Sequence, residues 1–147
     1  MILWRVSPQT DLVASYRSSR AGRWSWASRD VLYTSTTVEL AVLEALAHRR
    51  EMQGRQHFLI RVELADAAAQ QAPRLPHGWR ADKALTRKMG NRWYDEGRFP
   101  ILLVPSALSA ESTNALLNPH HPSARNLRLD VLRGFIFDRR LADCGSR

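Results

Sequence analysis

The sequence predicts a single compact α+β domain spanning residues 1–147. Three observations carry that expectation. A chain of 147 residues can bury one core. Short β-type runs are separated by single helical patterns and irregular loops, which is the arrangement of a mixed domain. No internal repeat or Pro/Gly-rich linker divides the chain.

The elements follow in order. Residues 2–6 (Ile-Leu-Trp-Arg-Val) read as a first strand. Residues 15–29 are polar, Arg-rich and Trp-containing, and read as a loop or broken helix. Residues 31–34 are β-branched and aromatic, hence a strand. Thr36 and Glu39 have the spacing of a capping box, and Leu40, Leu43 and Ala47 recur as one buried face of the helix that follows. That helix fades near Arg50, with Gly54 beyond it. In residues 58–64 the side chains of Phe58, Ile60, Val62 and Leu64 alternate with Leu59, Arg61 and Glu63, as in a half-buried strand. Residues 65–72 have no clear period. Leu75-Pro76-His77-Gly78-Trp79 reads as a turn, and residues 82–94 as a second helix that Gly90 could interrupt. Residues 101–104 and 115–117 are short apolar strands stopped by Pro105 and by Asn118-Pro119, and residues 135–137 close the set.

Composition excludes several classes. Apolar residues at 44% and charged residues at 24% are ordinary for a folded domain. The lone cysteine, Cys144, can form neither an intrachain disulfide nor a cysteine-based zinc site. The start has no signal-peptide layout, and the apolar run 101–104 is too short to span a bilayer, so the reading is cytoplasmic with no membrane partner. The net charge of +8 comes almost wholly from arginine, since Lys83 and Lys88 are the only lysines. Arginine suits bidentate grips on phosphate and stacking on rings. A nucleic acid, an anionic small ligand and an acidic protein all remain open on charge alone.

Several residues are candidates for chemistry. Glu44 borders the apolar side of its helix, where a lone carboxylate is costly unless it is paired or lines a cleft. A cleft acid and a boundary residue paired with an arginine are both open. Gly22-Arg23-Trp24 sets an arginine beside a glycine and a large ring, fit to meet a phosphate or simply to face solvent. Tyr33 ends a strand near the first turn of the Glu44 helix, and core packing explains it equally. Ser106 follows a strand end, as a site residue or a turn serine. His120 and His121 point in different directions with no cysteine or acid at ligand spacing, so they read as loop histidines and no metal is expected. Arg17, Arg20, Arg23 and Arg29 interleave with Tyr16, Trp24 and Trp26, which suits single-stranded nucleic acid or a nucleotide with a pyrophosphate. No Walker loop or dinucleotide Gly fingerprint is present.

In sequence order, Trp4-Arg5, Gly22-Arg23-Trp24, Leu32-Tyr33-Thr34-Ser35 and Leu40-Ala41-Val42-Leu43-Glu44 resemble the motifs of the RES-domain toxins of bacterial toxin–antitoxin pairs. The resemblance continues through Leu75-Pro76-His77-Gly78-Trp79, Val104-Pro105-Ser106, Asn114-Ala115-Leu116-Leu117-Asn118-Pro119-His120-His121 and Phe135-Ile136-Phe137-Asp138-Arg139-Arg140-Leu141. It spans about residues 4–141 and departs in two places. Ser25-Trp26-Ala27-Ser28-Arg29 replaces the family's Asn and Pro-Pro-Gly-like turn, and one extra arginine precedes Leu141.

The resemblance implies a fold similar to ADP-ribosyltransferases, with small central sheets flanked by helices and an NAD+ cleft. It implies an enzyme that cleaves the nicotinamide–ribose bond of NAD+, which is substrate rather than cofactor, with water or phosphate as acceptor. A protein-directed ADP-ribosyltransferase is the alternative within the fold, and an RNA-binding or RNA-cleaving toxin the alternative outside it. By the same resemblance Glu44 stabilises the cationic ribose, Arg23 grips the pyrophosphate or a ribose-linked oxygen, and Tyr33 stacks on or beside nicotinamide. Ser106 bonds the dinucleotide or orients Glu44, and Arg5, Asn118 and His121 are further site or scaffold residues. The partner it implies is an Xre-like helix-turn-helix antitoxin that forms a hetero-oligomer with the chain and makes the DNA contacts itself.

Overall fold

Seven strands form one sheet in the order β4-β5-β6-β2-β1-β3-β7. They are β1 (Ile2–Ser7), β2 (Leu32–Ser35), β3 (His57–Glu63), β4 (Ala69–Gln71), β5 (Ile101–Pro105), β6 (Thr113–Leu117) and β7 (Arg128–Phe135). All neighbours are antiparallel except β4 and β5. The helices are α1 (Leu12–Tyr16), α2 (Val38–Ala47), α3 (Lys83–Glu96) and α4 (Arg139–Ala142). This computed structural model describes the chain except residues 18–20, 49, 51–52, 66 and 143–147, so Arg20 and Cys144 lie outside the described residues.

The sheet is nearly two sheets. β1 pairs with β3 along its whole length, and β2 pairs with β6 along its whole length. Between β1 and β2 the only register pair is Trp4 opposite Ser35. The strands therefore splay on either side of that pair. Leu3, Leu32, Ile60, Val62, Ile101 and Leu117 fill one face of the sheet. On the other face, α2 covers Val6 and Leu59 with Ala41 and Ala45, and the α3 side buries Trp24, Trp93, Leu102 and Leu116.

The α2 start differs from the capping-box expectation. Thr37, not Thr36, is the N-cap: its hydroxyl accepts from Leu40 N–H at 3.2 Å. Thr36 instead extends the strand pairing, its N–H and hydroxyl both donating to Thr113 C=O. The buried face is also rotated. Leu40, Ala41 and Ala45 are buried, whereas Leu43 is 41% exposed and Ala47 is exposed. The small side chains of Ala41 and Ala45 let the helix sit close on β1 and β3, and that contact outweighs the bulkier Leu43 pattern.

Other boundaries shift for visible reasons. α1 begins before the 15–29 stretch read as a loop or broken helix and overlaps it only at Ser15 and Tyr16, starting where Asp11 caps Ala14 N–H at 2.9 Å. β7 reaches back to Arg128, because Arg128, Asp130 and Arg133 on this half-exposed edge strand hide its alternation. The ladder with β3 ends at Phe135, so residues 136–137 lie beyond it.

Gly90 does not interrupt α3. A Cβ there would overlap the backbone oxygen of Trp24, so glycine is needed for close approach. Gly90→Ala is expected to lower stability by about 1–3 kcal/mol through overpacking, despite alanine's better helix propensity. A thermal or urea melt checks it, and an unchanged midpoint would show that the Trp24 segment can withdraw freely.

Candidate functional site

A cavity of about 580 Å³ opens where β1 and β2 part. Arg5 alternates to the face of Leu3, while Glu44 rides on α2 over the opposite face. Both nonetheless line this cavity, because it runs through the split.

Glu44 stands one turn after buried Leu40, on the flank of α2 that faces β5 and β6. Its Oε1 accepts from the Ser106 hydroxyl at 2.8 Å and from Asn114 Nδ2 at 2.6 Å. Asn114 is fixed in turn, its Oδ1 accepting from the Ser35 hydroxyl at 2.8 Å, directly across the β2–β6 pair. Ser106 is fully buried, and its oxygen also accepts from Leu108 N–H at 3.1 Å. The hydrogen bond to Glu44 is the contact that the orienting role of Ser106 requires. Among the described residues no arginine or lysine pairs with Glu44, and its second oxygen has no partner. The described residues thus offer the paired-boundary reading of this acid no arginine.

Tyr33 is held from the other side. Its hydroxyl accepts from Trp24 N–H at 3.2 Å and shares a hydrogen bond of 2.7 Å with Ser25. A Cβ at Gly22 would strike that hydroxyl, so only glycine lets the segment pass. Burial raises the Tyr33 phenol above its ordinary range, against the pull of Ser25, Trp24 N–H, Arg87 and Arg23. The phenol stays protonated at neutral pH. Its ring lines the cavity while its hydroxyl is committed to the loop.

Among the described residues, Glu44 is the single acid of a lining that also holds Arg5, Arg23, Arg29, Lys83 and Arg87. Arg5 donates through Nη1 to Tyr33 C=O at 2.9 Å, stitching β1 to β2 beside the split, and through Nη2 to Ser7 at 3.3 Å. Its buried Nε has no partner among the described residues, and burial lowers the guanidinium to about 10, still charged at neutral pH. Arg23 donates to Arg80 C=O at 2.8 Å, and Arg87 donates through Nε to Gly22 C=O at 2.8 Å. Among the described residues neither pairs with a carboxylate. Arg29, by contrast, is neutralised by Asp95 at 2.7 Å.

Five of the seven sequence-named residues thus converge. Arg5, Arg23, Tyr33 and Glu44 line the cavity, and Ser106 supports Glu44 from behind. Asn118 and His121 are absent from the lining. Asn118 Oδ1 accepts from His120 N–H at 3.0 Å, and His121 bridges Ser123 N–H and the Gly97 carbonyl, fastening the turn after β6 to the end of α3. His120 joins Asp30 at 2.8 Å. Reading the sequence missed Asn114 as the clamp on Glu44, and Lys83 and Arg87 as lining cations. Asn114, which opens the polar run ending at Asn118-Pro119-His120-His121, was the available signal. Nothing marked Arg87.

Residues 2–138 match the RES domain. The chain is 41% identical to "Toxin Res" of Pseudomonas putida over 135 residues, covering 89% of this chain and 93% of that protein. It is 32% identical to "Toxin Res" of Yersinia enterocolitica, covering 96% and 99%. It is 30% identical to "Prs ADP-ribosylating toxin" of a Sphingobium species, covering 94% of each. Among solved structures, the M. tuberculosis MbcT–MbcA toxin–antitoxin complex contains a chain of the same fold, with TM-score 0.70 at 14% identity over 95% of this chain and 85% of that one. On the match of the domain across nearly its whole length and on these relatives, the chain belongs to the RES-domain toxin family.

Proposed function

We propose that this toxin cleaves the nicotinamide–ribose bond of NAD+, passing the ADP-ribosyl group to water or phosphate. The observation that carries the reading is Glu44: one oxygen fixed by two donors, the other free, in a cavity whose other ionised lining is cationic. Nicotinamide leaves as a neutral molecule because the C1′–N bond pair returns to its cationic ring nitrogen. The ribose left behind is oxocarbenium-like, and a fixed carboxylate stabilises that positive charge without reorganising. The acceptor oxygen then bonds to C1′ and loses its proton. The surrounding cations balance the two diphosphate charges, and the cavity volume lies in the range of small-molecule sites.

The test is incubation of purified protein with NAD+, with and without phosphate, and chromatography of the products. Nicotinamide with ADP-ribose, or with its phosphorylated form when phosphate is present, is the expected result. NAD+ left intact by the folded protein would reject the reading. A second reading, transfer to a protein side chain, is favoured by the name of the Sphingobium relative. Mass spectrometry for added ADP-ribose on cell proteins separates the two.

The partner in this reading is an antitoxin, as in the complex that shares the fold. An Xre-like helix-turn-helix protein closing the cleft, with its acidic groups against the basic rim, fits the charge of this face. No described helix is long and apolar enough to cross a membrane, and the proposed setting is the cytoplasm, where NAD+ is available.

A further inference from the structure

The segment from Gly22 to Arg29 includes the stretch in which this chain departs from its family's motif, and it is fastened to one stripe of α3. Thr86 donates to Arg23 C=O at 2.5 Å, and Arg87 to Gly22 C=O at 2.8 Å. Gly90 admits the Trp24 carbonyl, Asn91 accepts from Trp26 N–H at 3.2 Å, and Asp95 takes Arg29. Within this array Arg87 is anchored by one nitrogen only, and its guanidinium lies over the Trp26 ring at 5.0 Å. Stacking and a single backbone bond fix the plane of the fork while leaving both terminal nitrogens without a protein partner among the described residues.

We propose that Arg87 is the second cation of a diphosphate clamp, with Arg23 as the first. Both residues line the cavity beside the Gly22 segment that abuts the Tyr33 hydroxyl, and among the described residues neither has a carboxylate partner. Lys83, one turn before Arg87 on α3, lines the same wall. A diphosphate offers two adjacent anionic groups. Two planar forks on opposite elements, one on the loop and one on α3, suit it better than one arginine alone. Trp26 then has a purpose in the atypical segment, as the brace that preorganises Arg87.

The inference rests on the dinucleotide reading of the cavity and is tested by calorimetric titration of the full chain with ADP-ribose and with inorganic pyrophosphate. Arg87→Ala is expected to weaken both by about tenfold or more, the loss typical of a charged hydrogen-bonding group. Arg87→Lys keeps the charge but loses the fork, and is expected to fall between. Lys88→Ala removes the same charge from the adjacent exposed position and is expected to change neither. Wild-type protein that binds ADP-ribose while Arg87→Ala binds it equally well overturns the role of Arg87 alone. Equal weakening by Lys88→Ala overturns it too, by showing a diffuse field. Wild-type protein that binds neither probe rejects the dinucleotide site itself. Should Arg87→Ala melt early, Arg87→Lys decides: undiminished affinity there refutes the clamp.

Discussion

Glu44→Gln is expected to cut nicotinamide release about 10²–10³-fold, the cost of removing one preorganised electrostatic group, while leaving the fold intact. The neighbours of the side chain explain the separation. Ser106 and Asn114 both donate to Oε1, and a glutamine carbonyl can accept both bonds unchanged. The amide nitrogen would then occupy the position of the unpartnered oxygen. Shape and hydrogen bonding survive, and only the negative charge that the proposed reaction uses is lost. No cation pairs with Glu44 among the described residues, so its removal orphans none of their arginines. Turnover measured beside thermal melting checks the claim. A folded glutamine variant with wild-type turnover would remove Glu44 from the mechanism.

Much of this arrangement was legible in the sequence, and the rest was hidden for definite reasons. The β3 alternation could be read because Ile60, Val62 and Leu64 meet a single apolar face. Glu44 could be read because an acid beside buried Leu40 requires an explanation. The start and rotation of α2 could not: Thr36 and Thr37 are both competent caps, and the choice was made by the distant Thr113 carbonyl. Gly90 resembled a helix break because its reason, the Trp24 carbonyl, lies 66 positions away in the chain. Arg87 is one arginine among many, and only packing distinguishes it from exposed neighbours such as Lys88. The single-pair junction of β1 with β2, which makes room for the cavity, has no local sequence signature.

Asn114→Asp is the substitution that separates a positioning role from a merely structural one. Asn114 lines the cavity beside Glu44, and in the proposed reaction it acts by holding that carboxylate at 2.6 Å. An aspartate of the same shape would put two carboxylates at hydrogen-bond distance, and such a pair retains one shared proton with a strongly raised apparent pKa. Activity that depends on an ionised Glu44 would then be lost as pH falls through that raised value, so the acid limb of the rate profile moves to higher pH than in wild type. At neutral pH the rate is expected to fall about 10- to 100-fold, within what misplacement of a reacting group costs. Asn114→Ala brings no second charge. It frees Glu44 to turn and leaves the Ser35 hydroxyl without its acceptor, so the rate falls with no displacement of the limb. Ser106→Ala should lower the rate in the same way, and combining it with Asn114→Ala should cost less than the sum, because both act on one oxygen. If Asn114→Asp shifted no limb and simply reduced the yield of folded protein, the clamp on Glu44 would be scaffold alone, and the free carboxylate oxygen would need another explanation.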